Sequence, residues 1–371
     1  MKPRPFLLER YFAEHEFSAP YLLCCSDCES LSIKDLLQKE PEAHERFLSL
    51  RLGYTESLGS PELRQEIASL YRQSSPEHIL VHAGAEEAIF NCMHATLEPG
   101  DHIIIHSPYY QSLGEVARSI GAEVIEWQAD PGRSWALDLD FLRDRLTNRT
   151  KMVVINFPHN PTGFLPGIEF ITELSRLSDE HGFLIFSDEV YRGLEYDSAE
   201  RLPALADINE RAVSLGVMSK TYGLAGLRIG WIYTRNRSLF RELAAFKDYT
   251  TICNSAPSEF LATLALHHRD AIVARNMAII RSNLVRLNAF FAAHTNLFQW
   301  HAPKAGPIAF PRYLGGSVAQ FCRDLVEKAG VLLLPGTLYR EDLDCFRIGF
   351  GRQNMADCLE KFEEFLHRSE K

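Results

Sequence analysis

Lys220 stands between Ser219 and the loop Thr221-Tyr222-Gly223-Leu224-Ala225-Gly226, directly after the apolar run Ala212–Met218. A lysine at the end of a buried strand differs chemically from a solvated surface lysine. Burial or neighbouring charge destabilises its ammonium, and the free amine can then add to a carbonyl carbon and move a proton. Asp188 closes a second apolar run, Phe183-Leu184-Ile185-Phe186-Ser187, and Tyr191 follows three residues later. Asn160 follows a third, Val153-Val154-Ile155-Asn156-Phe157-Pro158. Taken singly, an aspartate in such a place is a common helix cap, and Asn160-Pro161 is a turn signal. Together, an amine, a carboxylate, a phenol and an amide at strand ends suit the binding and polarisation of one small molecule. Ala83-Gly84-Ala85-Glu86-Glu87 lies where a short strand passes into a helix. The free N–H groups of Ala85 and Glu86 can therefore face an anion, with the Glu86 side chain turned away. Ser219 and Arg228 would add a hydroxyl and a guanidinium suited to a phosphate.

The elements that must position these groups alternate. Ser60-Pro61-Glu62 opens a helix by capping chemistry that runs to about Arg72. Strands are predicted at His78–His82, His102–His106, Glu123–Trp127, Met152–Asn156, Phe183–Ser187, Ala212–Met218 and Arg228–Thr234. Helices at Ala85–Leu97, Gln111–Ile120, Leu139–Leu146 and Ile168–His181 separate them. Apolar strands alternating with amphipathic helices predict a mostly parallel sheet covered on both faces, with the ligand at the carboxyl ends of its strands. From Arg237 to His294 the pattern is helical. The last block, with strands at Gly306–Arg312, Val331–Leu334 and Phe346–Phe350 and two helices, reads as a small α+β domain that the N-terminal arm joins.

These motifs, in this order, resemble the class I and II aminotransferases from about Tyr54 to the C-terminus. Those are fold type I enzymes that depend on pyridoxal 5′-phosphate (PLP). The resemblance implies an α/β fold with a large, mostly parallel sheet domain and a small α+β domain. It also implies that Lys220 forms the Schiff base with PLP and moves the proton, while Asp188 keeps the pyridine nitrogen protonated. Tyr191 and Asn160 would hydrogen-bond the phenolic oxygen, and Gly84, Ala85, Glu86, Ser219 and Arg228 would hold the phosphate. Tyr110 matches the aromatic that stacks on the cofactor ring, although a tyrosine there is also an ordinary core residue. Arg347, in Cys345-Phe346-Arg347-Ile348-Gly349-Phe350, matches the arginine that grips a substrate α-carboxylate through two parallel hydrogen bonds; Arg352 competes for that role but lies beyond the strand. Tyr54 resembles the tyrosine that crosses a homodimer to the partner's phosphate. The substrates implied are an amino acid and a 2-oxo acid.

The front of the chain departs from the family. Tyr21-Leu22-Leu23-Cys24-Cys25-Ser26-Asp27-Cys28-Glu29-Ser30 replaces the glycine-rich loop of many members. It is similar, together with Asn156–Pro161, to the capreomycidine-synthase branch, whose members eliminate and cyclise a hydroxylated arginine with PLP. In that reading Glu9 of the N-terminal arm works as an acid or base.

Composition narrows the alternatives. The chain has 371 residues, which suits more than one core. The expected division is an arm over residues 1–50, a PLP-binding domain over 51–250, and connecting helices with the small domain over 251–371. A formal net charge of -10 argues against a nucleic-acid partner. No basic helix precedes Tyr54 to support a PLP-binding regulator of transcription. With no membrane-length apolar run and no leader pattern, a cytoplasmic location is expected. The 8 cysteines read as reduced thiols. Cys24, Cys25 and Cys28 lack a second cluster to complete a metal site, and His267-His268 reads as a polar helix face.

Overall fold

The structure, a computed structural model, describes Lys2–Ser369. A short strand in the arm, β1 (Tyr21–Leu22), precedes seven strands of one sheet. These are β2 (Ile79–His82), β3 (His102–Ser107), β4 (Glu123–Gln128), β5 (Thr150–Asn156), β6 (Leu184–Asp188), β7 (Ala212–Val217) and β8 (Gly230–Tyr233). Their order across the sheet is β2-β8-β7-β6-β5-β3-β4. β8 is antiparallel to both neighbours, and the remaining pairs are parallel. The carboxyl ends of β2, β3, β5, β6 and β7 therefore share one edge, and β8 begins there.

The apolar runs form this sheet because alternate side chains leave on opposite faces and both faces are covered. Ile103, Ile105, Val154, Phe186 and Leu215 enter one core; Ile104, Val153, Ile155 and Ile185 enter the other. The helix capped by the Ser60 hydroxyl is shorter than its sequence suggests, spanning Pro61–Ala68. Beyond it the amides of Arg72 and Gln73 donate to the Asp207 carboxylate instead of continuing the helical ladder. Arg228 is not in a strand. It follows a 3-10 turn (Ala225–Leu227) with φ 51, two residues before β8.

Helices Arg237–Lys247, Ala256–His267 and Arg269–Ala293 follow. His267 ends the second of these and pairs with Glu40 and Glu66. The C-terminal strands are β9 (Phe298–Gln299), β10 (Ile308–Ala309), β11 (Arg312–Tyr313), β12 (Val331–Leu332), β13 (Leu334–Pro335) and β14 (Phe346–Gly349). Two runs expected as single strands are thus divided. Pro311, which has no N–H for a ladder, separates β10, paired with β14, from β11, paired with β9. At Leu333 the carbonyl accepts from the Tyr11 hydroxyl; β12 before it pairs with β1, and β13 after it pairs with β14. The arm does join this block, through parallel pairing of β1 with β12. Among the described residues, no helix is long and apolar enough to cross a membrane.

Candidate active site

A cavity of about 460 Å³ opens at the carboxyl edge of the main sheet. Ala85, Glu86, Tyr110, Asn160, Asp188, Tyr191, Ser219, Lys220, Arg228 and Arg347 all line it, so ten of the residues singled out by sequence meet in one place. Gly84 lies just behind: a Cβ added there would sit 2.6 Å from Nη2 of Arg228. Gly230 is also required. A Cβ on it would lie 2.8 Å from the Ala85 amide nitrogen, blocking the approach of β8 to the start of the helix Ala85–Thr96. Tyr54 does not line the cavity; it is 93% exposed in the single chain.

One end of the cavity suits an anion. The helix Ala85–Thr96 begins at Gly84 without a side-chain cap, which leaves its first amides free, and the Arg228 guanidinium lies beside them. The expectation that Glu86 turns away is corrected. Glu86 opens onto the cavity yet is ringed by protein, and its carboxyl feels both Glu9 and Arg228. The protein packed around it raises its pKa, an effect that its exposure to the cavity limits.

Asp188 is the last residue of β6, 6% exposed, and accepts from the Val190 amide at 3.2 Å. Desolvation raises its pKa to about 7, against the smaller pull of Val190 and of the Lys220 charge. Lys220 reaches cavity water but is surrounded by protein, and burial lowers its pKa, opposed by Asp27 and Asp188. Burial thus works against the charged form of both groups. Asn156 ties the region together: its amide donates to the Asp188 carbonyl at 2.8 Å and its Oδ1 accepts from the Asn160 backbone at 2.7 Å. Beneath the Asn160 loop His106 and His159 stack at 3.7 Å, and burial holds His159 neutral, its pKa lowered to about 3.

At the other end lies Arg347, buried on β14. Its Nη1 donates to Asn160 Oδ1 and to the Tyr339 hydroxyl, while Nε and Nη2 donate to the Cys24 carbonyl. The side-on fork expected to meet a carboxylate is therefore occupied, and one N–H of Nη2 remains without a partner among the described residues. Arg352 is neutralised by two parallel bonds to Asp27, 3.1 and 2.9 Å. Of Arg347 and Arg352, Arg347 is therefore the one with no carboxylate partner among the described residues.

The N-terminal arm forms the roof. Glu9, Phe12 and Glu16, at helical spacing on and just beyond the helix Leu7–His15, line the cavity, and Glu9 accepts from the Tyr110 hydroxyl at 2.9 Å. Next comes Cys24–Asp27. The Ser26 hydroxyl accepts from Lys220 Nζ at 2.8 Å, and its carbonyl accepts from the Tyr191 hydroxyl at 3.0 Å. Phe12, Glu16, Ser26 and Tyr339 carry no motif, and their roles arise from contacts across most of the chain. Only the departure of this stretch from a glycine-rich loop marks it in the sequence.

Comparison with known proteins agrees with this geometry. The family model for aminotransferase class I and II matches residues 21–362. Capreomycidine synthase from Streptomyces vinaceus is 34% identical over 79% of this chain and 75% of its own length. Aspartate/prephenate aminotransferase from Thermus thermophilus is 31% identical, covering 88% of this chain and 87% of its own. Among solved structures, a PLP-dependent aminotransferase from Streptococcus suis superposes with a TM-score of 0.94 at 32% identity, covering 99% of both chains. A PLP-dependent cyclase, OrfR, superposes at 0.89 with 28% identity, covering 100% of this chain and 98% of its own. The chain belongs to the class I and II aminotransferases, enzymes of fold type I.

Proposed function

We propose that this enzyme moves an amino group between an amino acid and a 2-oxo acid, with Lys220 as the residue that holds pyridoxal 5′-phosphate covalently. PLP is the family's cofactor. The observation that carries the reading is the convergence of Lys220, Asp188 and Arg228 on one cavity that has Arg347 at its far end. When bound, PLP supplies an aldehyde that captures amines and a protonated ring that stabilises negative charge at the substrate Cα.

The residues present fit this group. The open helix start at Gly84, Ala85 and Glu86, with Ser219 and Arg228, would hold the phosphate. Asp188 would bind the ring nitrogen, and its pKa of about 7 leaves it able to share a proton there. The Asn160 amide would donate to the phenolic oxygen; Tyr191, whose one hydroxyl proton goes to the Ser26 carbonyl, would join it only by giving up that bond, and Tyr110 would cover the ring. Lys220, its ammonium disfavoured by burial, accepts and returns the proton at the substrate Cα. Arg347 would orient the substrate through its carboxylate, using the Nη2 proton left free by Cys24.

The same reading makes the enzyme a cytoplasmic homodimer, with Tyr54 serving the partner's phosphate. Leu52, Tyr54 and Tyr249 are 82%, 93% and 89% exposed, a cost that a second copy would relieve. It divides the chain into an arm (1–50), a cofactor domain (51–250) and connecting helices with a small domain (251–371). Borohydride reduction of the loaded enzyme followed by peptide mass mapping tests the core of the proposal. The label should fall on Lys220; a label on another lysine removes this active site.

A second reading is supported by the roof. With Asp27 paired to Arg352, Glu9 and Glu16 present carboxylates on either side of Phe12, a setting that suits a guanidinium. That, with the likeness to capreomycidine synthase, supports elimination and cyclisation of a hydroxylated arginine. Incubation with 15N-labelled amino acids separates the two. Transamination gives a 2-oxo product and needs an oxo acid to complete the cycle, whereas cyclisation gives a cyclic guanidino product that keeps its α-nitrogen without one.

A further inference from the structure

We infer that Ser26 is a positioning residue for Lys220, holding the free amine through its hydroxyl at the place where the amine handles the substrate proton. The inference rests on the assignment of Lys220 above and goes beyond it. The bond from Nζ to Ser26 Oγ, 2.8 Å, is made to the uncombined amine, which is the form that takes up or delivers a proton. A lysine side chain has several rotatable bonds, so an amine without a fixed acceptor samples many positions and reacts from few of them.

Ser26 can act in this way because its own backbone is fixed from three sides. Its carbonyl accepts from the Tyr191 hydroxyl at 3.0 Å, tying it to the turn after β6. The next residue, Asp27, is held by the two bonds from Arg352. The flanking chain lies directly on the small block: Gly349 donates to the Leu23 carbonyl at 2.6 Å, and Glu29 donates to the Gly351 carbonyl at 2.8 Å. Any Cβ at Gly349 or Gly351 would collide with the carbonyls of Cys25 and Asp27 respectively. The segment is therefore built to lie close, and its Ser26 hydroxyl accepts from the lysine.

The charged and titratable groups that act on Lys220 are Asp27, Cys25 and Cys28 from the same segment, Glu16 from the arm, Asp188 from β6 and Arg347 from β14. Accepting a hydrogen bond favours the ammonium over the amine, because the charged donor binds the oxygen more strongly. Removing Oγ should therefore lower the pKa of Lys220 further. All of these neighbours are retained in a Ser26→Ala protein, so the shift reports the loss of the hydroxyl.

The test compares wild type with Ser26→Ala, Ser26→Gly and Ser26→Thr. In cofactor-free protein, the pH dependence of Lys220 acetylation by acetic anhydride is followed by mass spectrometry. The Ala profile should move down by about half a pH unit, and Thr, which keeps a hydroxyl, should stay with wild type. In loaded enzyme, kcat should fall roughly three- to tenfold in Ala while KM for the amino acid stays within about twofold, and Thr should restore kcat. Gly keeps the backbone carbonyl used by Tyr191 and replaces Ala as the hydroxyl-free variant if Ala does not fold. A folded hydroxyl-free variant with a wild-type labelling profile and kcat overturns the inference, as does a Thr variant as impaired as Ala. Borohydride mapping of wild type keeps the two assignments separate: a label on Lys220 with an inert Ser26 sinks only the role of Ser26.

Discussion

Asp188 is held in a place that costs stability and suits chemistry, and the cost can be measured. Its carboxyl moves from an ordinary 3.8 to about 7 in the folded chain, mainly because burial strips its water. The folded state thus binds that proton more tightly than the unfolded state. The sign follows: the stabilising contribution is complete below about pH 4 and is lost as pH rises through 7. A shift of about three pH units corresponds to about 4 kcal/mol. Asn at this position is uncharged at every pH, and its Oδ1 can still accept from the Val190 amide. Asp188→Asn should therefore stabilise the cofactor-free protein at pH 8 and leave it nearly unchanged at pH 4.5. For a chain of 371 residues unfolding cooperatively, about 4 kcal/mol corresponds to a rise in Tm of about 5 °C. Differential scanning fluorimetry of cofactor-free wild type and variant from pH 4.5 to 8 measures this directly. In the loaded enzyme the order should reverse, because only a carboxylate can pair with a protonated ring nitrogen. The variant should gain less Tm from PLP and lose roughly a hundredfold or more in kcat. A variant no more stable than wild type at pH 8, or equally stabilised at both pH extremes, would refute the argument from desolvation.

Arg347→Lys should raise KM for the amino acid roughly 10- to 100-fold, since an ammonium cannot serve Cys24, Asn160, Tyr339 and a carboxylate together; unchanged steady-state kinetics would return Arg352 to candidacy. Glu9→Gln combined with Glu16→Gln should weaken an arginine-like amino acid roughly tenfold more than an uncharged one, read from KM ratios, if the roof selects cations. Where Tyr54→Phe proves inactive, mixing it with inactive Lys220→Ala should regenerate about a quarter of the wild-type sites after subunit exchange. Exchange without recovered activity would place Tyr54 outside the partner's site.

The sequence made the floor of this site legible but not its roof. The runs that became β5, β6 and β7 are buried on both faces, so their apolar continuity marks them, and the polar residue ending each run necessarily reaches the carboxyl edge. Asp188 could be found in that way, and Asn160 and Lys220 lie within four residues of the ends of β5 and β7. Arg228 was found by its motif yet misplaced, because a left-handed residue after a short turn leaves no periodic trace. Strand lengths in the C-terminal block were overestimated because Val331–Leu334 reads as one apolar run while its halves pair with different partners. Glu86 was misjudged because local capping geometry says where its amide points and nothing about its carboxyl. Ser26 meets Lys220 across 194 positions, and no pattern of local sequence encodes that.

This division between floor and roof bears on how one fold serves different reactions. The floor residues lie at the ends of parallel strands whose register is set by two buried cores, so Asp188 and Lys220 cannot move without disturbing β6 and β7. The roof is a helix and a loop pinned by separate bonds: Leu7 to Gln111, Glu9 to Tyr110, Tyr11 to Leu333, and Asp27 to Arg352. Each can be exchanged without altering the sheet. An arm ending in a glycine-rich loop would offer backbone amides to a carboxylate. The arm here instead offers the Ser26 hydroxyl to the lysine, the Cys24 carbonyl to Arg347, and to the cavity two carboxyl groups, Glu9 and Glu16, with no ion pair among the described residues. The floor can move a proton at Cα in either reading. Chemistry beyond Cα would depend on the roof, which in this chain brings the carboxyl groups of Glu9 and Glu16 to the cavity.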